Sequence, residues 1–118
     1  MIKLKTIDCL EFEYKCLADK NELMVESEMQ FIAQAPKDRS ILQRAILIQL
    51  DVKEAEDKFK LKSVCRVIFS FDKEEELLAG KELLQERRKE AYEKMREMVR
   101  GALKVLGQNE DVFPDIEP

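Results

Sequence analysis

Between Leu10 and Cys16 the chain alternates: Leu10, Phe12, Tyr14 and Cys16 are apolar, and Glu11, Glu13 and Lys15 between them are charged. Side chains on a strand point to opposite faces in turn, so this pattern predicts a strand with one face buried and one in water. Upstream, Ile7 and Cys9 carry the opposite parity. A strand beginning near Ile2 therefore needs one extra residue, a β-bulge, between Asp8 and Leu10 to keep its apolar side inward. After Asp19-Lys20-Asn21 the alternation resumes. Leu23, Val25, Met29, Phe31 and Ala33 face one way, Glu26, Glu28, Gln30 and Gln34 the other, and Pro36 ends the run. A third run holds Ile46, Ile48, Leu50 and Val52 on one face with Ala45 and Leu47 on the other, the pattern of a strand buried on both sides near its middle. In the fourth, Phe59, Leu61, Cys65, Val67, Phe69 and Phe71 oppose Lys60, Lys62, Arg66 and Ser70.

The connections between these runs are short and polar, whereas a parallel crossover needs a dozen or more residues and usually a helix, so the strands are expected to be antiparallel. A meander in the order 1-2-3-4 is the simplest such sheet. Beyond it, Asp72 and Glu75 have the chemistry of a helix N-cap and its third position. Leu84, Ala91, Met95, Met98, Ala102 and Val105 then recur at three, four or seven residues as one apolar stripe, and Gly107 suits a C-cap. The expectation is one α+β domain: a four-stranded antiparallel meander over about residues 2–17, 22–35, 41–53 and 58–71, a helical region over about 73–106 and an extended tail over about 107–118.

Such a sheet has a coverage problem. Four strands at about 4.8 Å spacing span roughly 19 Å, whereas a helix with its side chains is about 10–12 Å across. Apolar sheet is left over, and a second copy or a bound polypeptide are the two natural covers.

Composition narrows the chemistry. The chain has 118 residues, 45% hydrophobic and 39% charged, which supports one core beneath a charged surface. It contains no histidine, which removes the commonest general base, the Ser-His and Cys-His nucleophile pairs and most zinc sites. Three unclustered glycines cannot write a phosphate loop or a dinucleotide fingerprint. A net charge of −4 opposes a general nucleic-acid surface, and no run is long and apolar enough to insert in a membrane. Neither a signal peptide nor a metal-ligand spacing is visible, and the expected location is cytoplasmic. Glu54, Glu56 and Asp57, like Glu74, Glu75 and Glu76, read as solvated turn and helix-start residues, and Arg87-Arg88-Lys89 between Glu86 and Glu90 as a salt-bridged helix face. Cys9, Cys16 and Cys65 are an odd set without a C-x-x-C pair and read as reduced core residues. Phe69 and Phe71 share a face of the fourth strand, where they either line a peptide groove or fill the core beneath the helix.

Four strands, a linker, a helix and a Phe-Pro tail follow one another in an order that resembles the SecB-like chaperones. The resemblance runs over nearly the whole chain. Its most telling segments are Phe59-Lys60-Leu61 through Val67-Ile68-Phe69-Ser70-Phe71 and the closing Val112-Phe113-Pro114-Asp115-Ile116-Glu117-Pro118. It implies an ATP-independent, cofactor-free homo-oligomer, a dimer or a dimer of dimers (typically a tetramer), that holds non-native polypeptides in apolar grooves beside the sheet and serves protein transport. On that view Phe69, Phe71, Leu77 and Leu78 would line the groove. Export members continue past the position of Pro118 into a second helix and tail that contact the SecA motor, and Lys60 and Lys62 interrupt the acidic motor-binding face, so SecA docking is not expected. A toxin–antitoxin chaperone fits as well as a secretion factor. The expected role is therefore polypeptide binding rather than catalysis. The alternatives are a structural or regulatory homo-oligomer of the same fold without clients and, last, an enzyme using carboxylates.

Overall fold

The alternating runs are strands, and the periodic one is a helix. The computed structural model describes residues 3–16, 25–38, 41–54, 56, 58–71 and 80–107. In chain order these form β1 (Lys3–Cys16), β2 (Val25–Gln34), β3 (Gln43–Glu54), β4 (Phe59–Ser70) and α1 (Gly80–Val105). All pairings are antiparallel, so the chain is α+β with a four-stranded sheet followed by a C-terminal helix, as the patterning predicts. The N-cap expected at Asp72 and Glu75, the helix start near 73, the linker residues Leu77 and Leu78 and the tail beyond Gly107 lie outside the described residues.

The meander order is corrected. The sheet runs β1-β4-β3-β2, so β2, β3 and β4 form a meander and β1 lies beside β4, a Greek-key arrangement. Burial supplies the reason. On β4 every second residue from Phe59 to Phe69 is buried, and on β3 Ile46, Ile48, Leu50 and Val52 are at most 1% exposed. A sequential meander would leave β4, with this fully apolar face, at an edge. The Greek key places β3 and β4 centrally beneath the helix and gives the edges to the more polar β1 and β2.

Two bulges fit β1 to β4. The ladder slips between Leu4 and Thr6 and again between Cys9 and Glu11, leaving Lys5 and Leu10 without partners. The second slip is the predicted bulge; the first, at Lys5, corresponds to a further parity change between Leu4 and Ile7 that the expectation of a single bulge leaves out. Each slip switches the parity, so Leu4, Ile7, Phe12, Tyr14 and Cys16 all oppose core residues of β4 while Leu10 points outward, 48% exposed.

The helical stripe is also corrected. Ala91, Tyr92, Met95, Val99 and Leu103 are buried, Leu84 and Met98 are partly buried against the core, and Val105, assigned to the stripe, is 88% exposed. A pattern read every 3.5 residues drifts about 20° per heptad from a straight helix, enough by Val105 to turn it off the sheet. The helix closes with Leu106 N–H donating to the Ala102 carbonyl at 3.1 Å and Gly107 N–H to Lys104 at 3.1 Å, with Gly107 at φ 76°, a left-handed conformation suited to glycine.

Candidate polypeptide-binding surface

α1 lies against β2, β3 and β4 and approaches β1 least. Arg88 anchors its outer flank with the guanidinium 5.5 Å from the centre of the Phe31 ring on β2, and Arg87 is held by Glu90 at 3.1 Å, which accounts for part of the basic triplet as a helix face. The cost of this placement falls on β1. Leu4, Ile7, Phe12, Tyr14 and Cys16 touch the core from one side yet remain half-buried. Tyr14 packs edge-on to Phe59, ring centroids 5.8 Å apart at 88°, and partial burial raises its phenol pKa. This strip is the leftover sheet that the width argument anticipates. It belongs to β1 because the helix stands over the other three strands.

Phe69 and Phe71 do not line an open groove. Phe69 is 0% exposed and Phe71 8%, and Arg44 closes over the Phe71 ring at 5.0 Å while its Nη1 donates to the Gln43 carbonyl at 2.8 Å. Both are core residues, the second of the two roles their periodicity allows. The groove expected from them would need apolar surface they do not present.

On the far side of the sheet the side chains fall into rows across the strands. Glu13, Lys62, Asp51 and Glu28 are register neighbours, and the next row holds Lys15, Lys60, Lys53 and Glu26. Lys60 pairs with Glu13 at 2.8 Å and Lys62 with Glu11 at 3.2 Å, so this face mixes signs as its sequence suggests. The hydrogen bond and charge of Lys60 lower the Glu13 pKa. Toward the other end the same face turns apolar, with Ile32 41% exposed beside Leu47 and Ala45 beside Ile68. There a shallow depression of about 490 Å³ opens between Pro36, Ala45, Ile68, Arg44 and Arg66, with Arg66 donating to Gln34 at 3.0 Å.

The cysteines divide by environment. Cys65 is fully buried, and burial with the adjacent Cys9 pushes its thiol up to about 12, so it stays protonated and inert. Cys16 is half-buried, and Cys9, expected in the core, is exposed beside the Leu10 bulge. All three are free. Of the acidic turn, Glu54 accepts from the Lys58 N–H at 2.9 Å and Glu56 pairs with the Lys58 ammonium at 2.9 Å. Among the described residues no group of three or more acidic or cysteine side chains is placed to hold a metal ion, and no helix is long and apolar enough to cross a membrane.

The described residues thus form a four-stranded sheet and one helix, with a half-buried apolar strip along β1. Among solved structures the chain is similar to the Mycobacterium tuberculosis Rv1957 SecB-like chaperone in complex with a ChAD peptide from the Rv1956 HigA1 antitoxin, with a TM-score of 0.67 and 17% identity over 98% of this chain and 90% of that one. No family model matches the sequence, and no curated protein matches it. The fold is SecB-like.

Proposed function

We propose that this chain is an ATP-independent, SecB-like chaperone that binds non-native polypeptide segments as a homo-oligomer in the cytoplasm. The observation that carries the proposal is the likeness in fold, over nearly the full length of both chains, to a SecB-like chaperone whose structure holds an antitoxin peptide. The half-buried strip of β1 supports the oligomer, since Leu4, Ile7, Phe12 and Tyr14 are apolar surface that one helix cannot reach. Holding an extended client needs adaptable apolar contact and no covalent chemistry, which suits a chain without histidine. With Phe69 and Phe71 closed into the core, Leu77 and Leu78 remain the proposed groove residues. The antitoxin peptide of the structural neighbour favours clients of that kind over export substrates.

The β1 strip asks only for a second copy, and a client-free structural oligomer satisfies it equally. An aggregation assay separates the two. Substoichiometric chain is expected to suppress light scattering from an unfolded model protein, and Leu78→Asp to weaken that suppression without changing oligomeric size. No suppression at stoichiometric excess overturns the chaperone reading and leaves the structural one.

A further inference from the structure

Two of the three cysteines face each other. Cys9 on β1 is the register partner of Cys65 on β4, in an antiparallel ladder whose opposed side chains leave the sheet on the same face. Opposed residues of such a ladder have Cα atoms about 4.5 or 5.5 Å apart, inside the roughly 4.4–6.8 Å that a disulfide spans. Their Cβ atoms, about 4.5–5.5 Å apart, stand at the upper end of what the bond accepts or about 1 Å beyond it. That difference falls where β1 is least constrained. The ladder slips directly after Cys9, Leu10 has no partner, and β1 is a margin of the described sheet. Cys16 is in no such position, since it stands opposite Phe59, about 20 Å along the ladder from Cys65.

The two opposed sulfurs differ in access. Cys9 is exposed, and its thiol donates weakly to the Glu11 carbonyl at 3.9 Å. Cys65 is 0% exposed, and burial, with the charge of Cys9 second, pushes its thiol up to about 12. Reagents in solution therefore meet Cys9, while Cys65 is inert toward them. What can reach Cys65 is a disulfide already carried by the residue opposite.

We propose that Cys9 and Cys65 form a reversible cross-strand disulfide, with Cys9 the thiol that meets the oxidant and Cys65 the one that resolves it. The oxidant is a small-molecule disulfide of the glutathione type. The Cys9 thiolate attacks one of its sulfurs, the S–S bond breaks, and one glutathione leaves as a thiolate that takes the proton Cys9 has shed. The Cys65 sulfur then attacks the Cys9 sulfur. The bond between Cys9 and glutathione breaks, and the second departing thiolate takes up the proton that Cys65 gives up. Two cysteine thiols are oxidised, and one disulfide is reduced to two thiols. Attack by the buried Cys65 is the slow step, and proximity offsets this, because a sulfur held opposite its target acts at an effective concentration no solute reaches. The bond ties β1 to β4 between Ile7 and Phe12, in the middle of the half-buried strip. In a reducing compartment such a bond is transient, which suits a redox-sensing modification rather than a permanent staple. The inference stands apart from the polypeptide-binding reading and needs no client.

The test incubates the whole chain with oxidised glutathione, quenches it with an alkylating reagent in urea and maps the cysteines by peptide mass. The expected product links Cys9 to Cys65 and leaves Cys16 alkylated, and dithiothreitol should return all three thiols. Cys65→Ala retains the thiol that meets the oxidant and should stop at a glutathione adduct on Cys9. Cys9→Ser, at an exposed position and thus tolerated, should slow oxidation of Cys65 at least about tenfold. In the urea-unfolded chain the shorter loop favours a link between Cys9 and Cys16 instead. The proposal is overturned if the native wild type stops at the Cys9 adduct, if its product joins Cys9 of two copies, or if Cys65 is oxidised as fast in Cys9→Ser. A link between Cys9 and Cys65 that dominates equally in urea also overturns it, since the ladder would then not be what selects the pair.

Discussion

β4 and β1 are hydrogen-bonded neighbours, and on the helix side their residues match one to one: Phe59 with Cys16, Leu61 with Tyr14, Ser63 with Phe12, Cys65 with Cys9, Val67 with Ile7 and Phe69 with Leu4. Every β4 member of these pairs is buried, whereas every β1 member is half-buried or exposed. The side chains do not explain this, since Phe12, Tyr14 and Ile7 are as large and apolar as those opposite. Position does. The helix stands over β2, β3 and β4, so two adjacent strands of similar chemistry become a sealed core and a half-buried strip.

If the contrast is one of position, damage to the two strands should differ in kind. Phe69→Asp places a carboxylate in the fully buried site and should cost more than about 4 kcal/mol, leaving the chain largely unfolded by circular dichroism and in urea titration. A folded Phe69→Asp protein would show that β4 is not the sealed strand. Alkaline titration probes the same region more gently. The folded pKa of Cys65, about 12, lies above its ordinary value of 9.0, so its contribution to stability is whole below pH 9 and fades as pH climbs toward 12. The urea midpoint of the wild type should therefore fall toward that of Cys65→Ala over this range, and a constant gap would contradict the buried thiol.

On β1 the expected loss is smaller and its main consequence lies elsewhere. Phe12→Ser should cost about 1 kcal/mol in urea, as fits half-burial, while lowering the sedimentation coefficient by removing apolar contact from the open strip. An unchanged assembly would show that the strip is not the oligomer's contact. Ser63, opposite Phe12, is fully buried, and its Oγ has no hydrogen-bond partner among the described residues. Ser63→Ala should therefore raise the unfolding free energy from urea titration by up to about 1 kcal/mol, because it deletes an unsatisfied hydroxyl. The smallest effect belongs to the solvent face: Glu13→Gln breaks the pair with Lys60, and the midpoint at neutral pH should stay within measurement error because both partners are largely exposed.

Much of the fold was legible before the structure. Alternation fixed the faces of β2, β3 and β4, and the parity change at Cys9 located one bulge. The other bulge also has a signal, the opposite parity of Leu4 and Ile7, but it rests on so few apolar residues at the strand's start that a single bulge further on was read instead. Strand order was misread because short connections favour neighbours and say nothing of which strands most need the centre. The candidate site was less legible still. Phe69 and Phe71 obey the same period whether they floor a groove or fill a core, and only the position of Arg44 and α1 closes them in.

By itself, then, the sequence determined the element types, the facing of most strand residues, the absence of a histidine-based site and the fact that one helix could not cover the sheet. These follow from local periodicity and residue chemistry, which each segment carries with it. Tertiary structure alone decided that β1 joins β4, that the half-buried strip falls on β1, and that β2 stands at the margin of the described sheet. Those outcomes depend on competition among whole strands for the space beneath α1, a competition settled by total buried area rather than by any one segment's pattern.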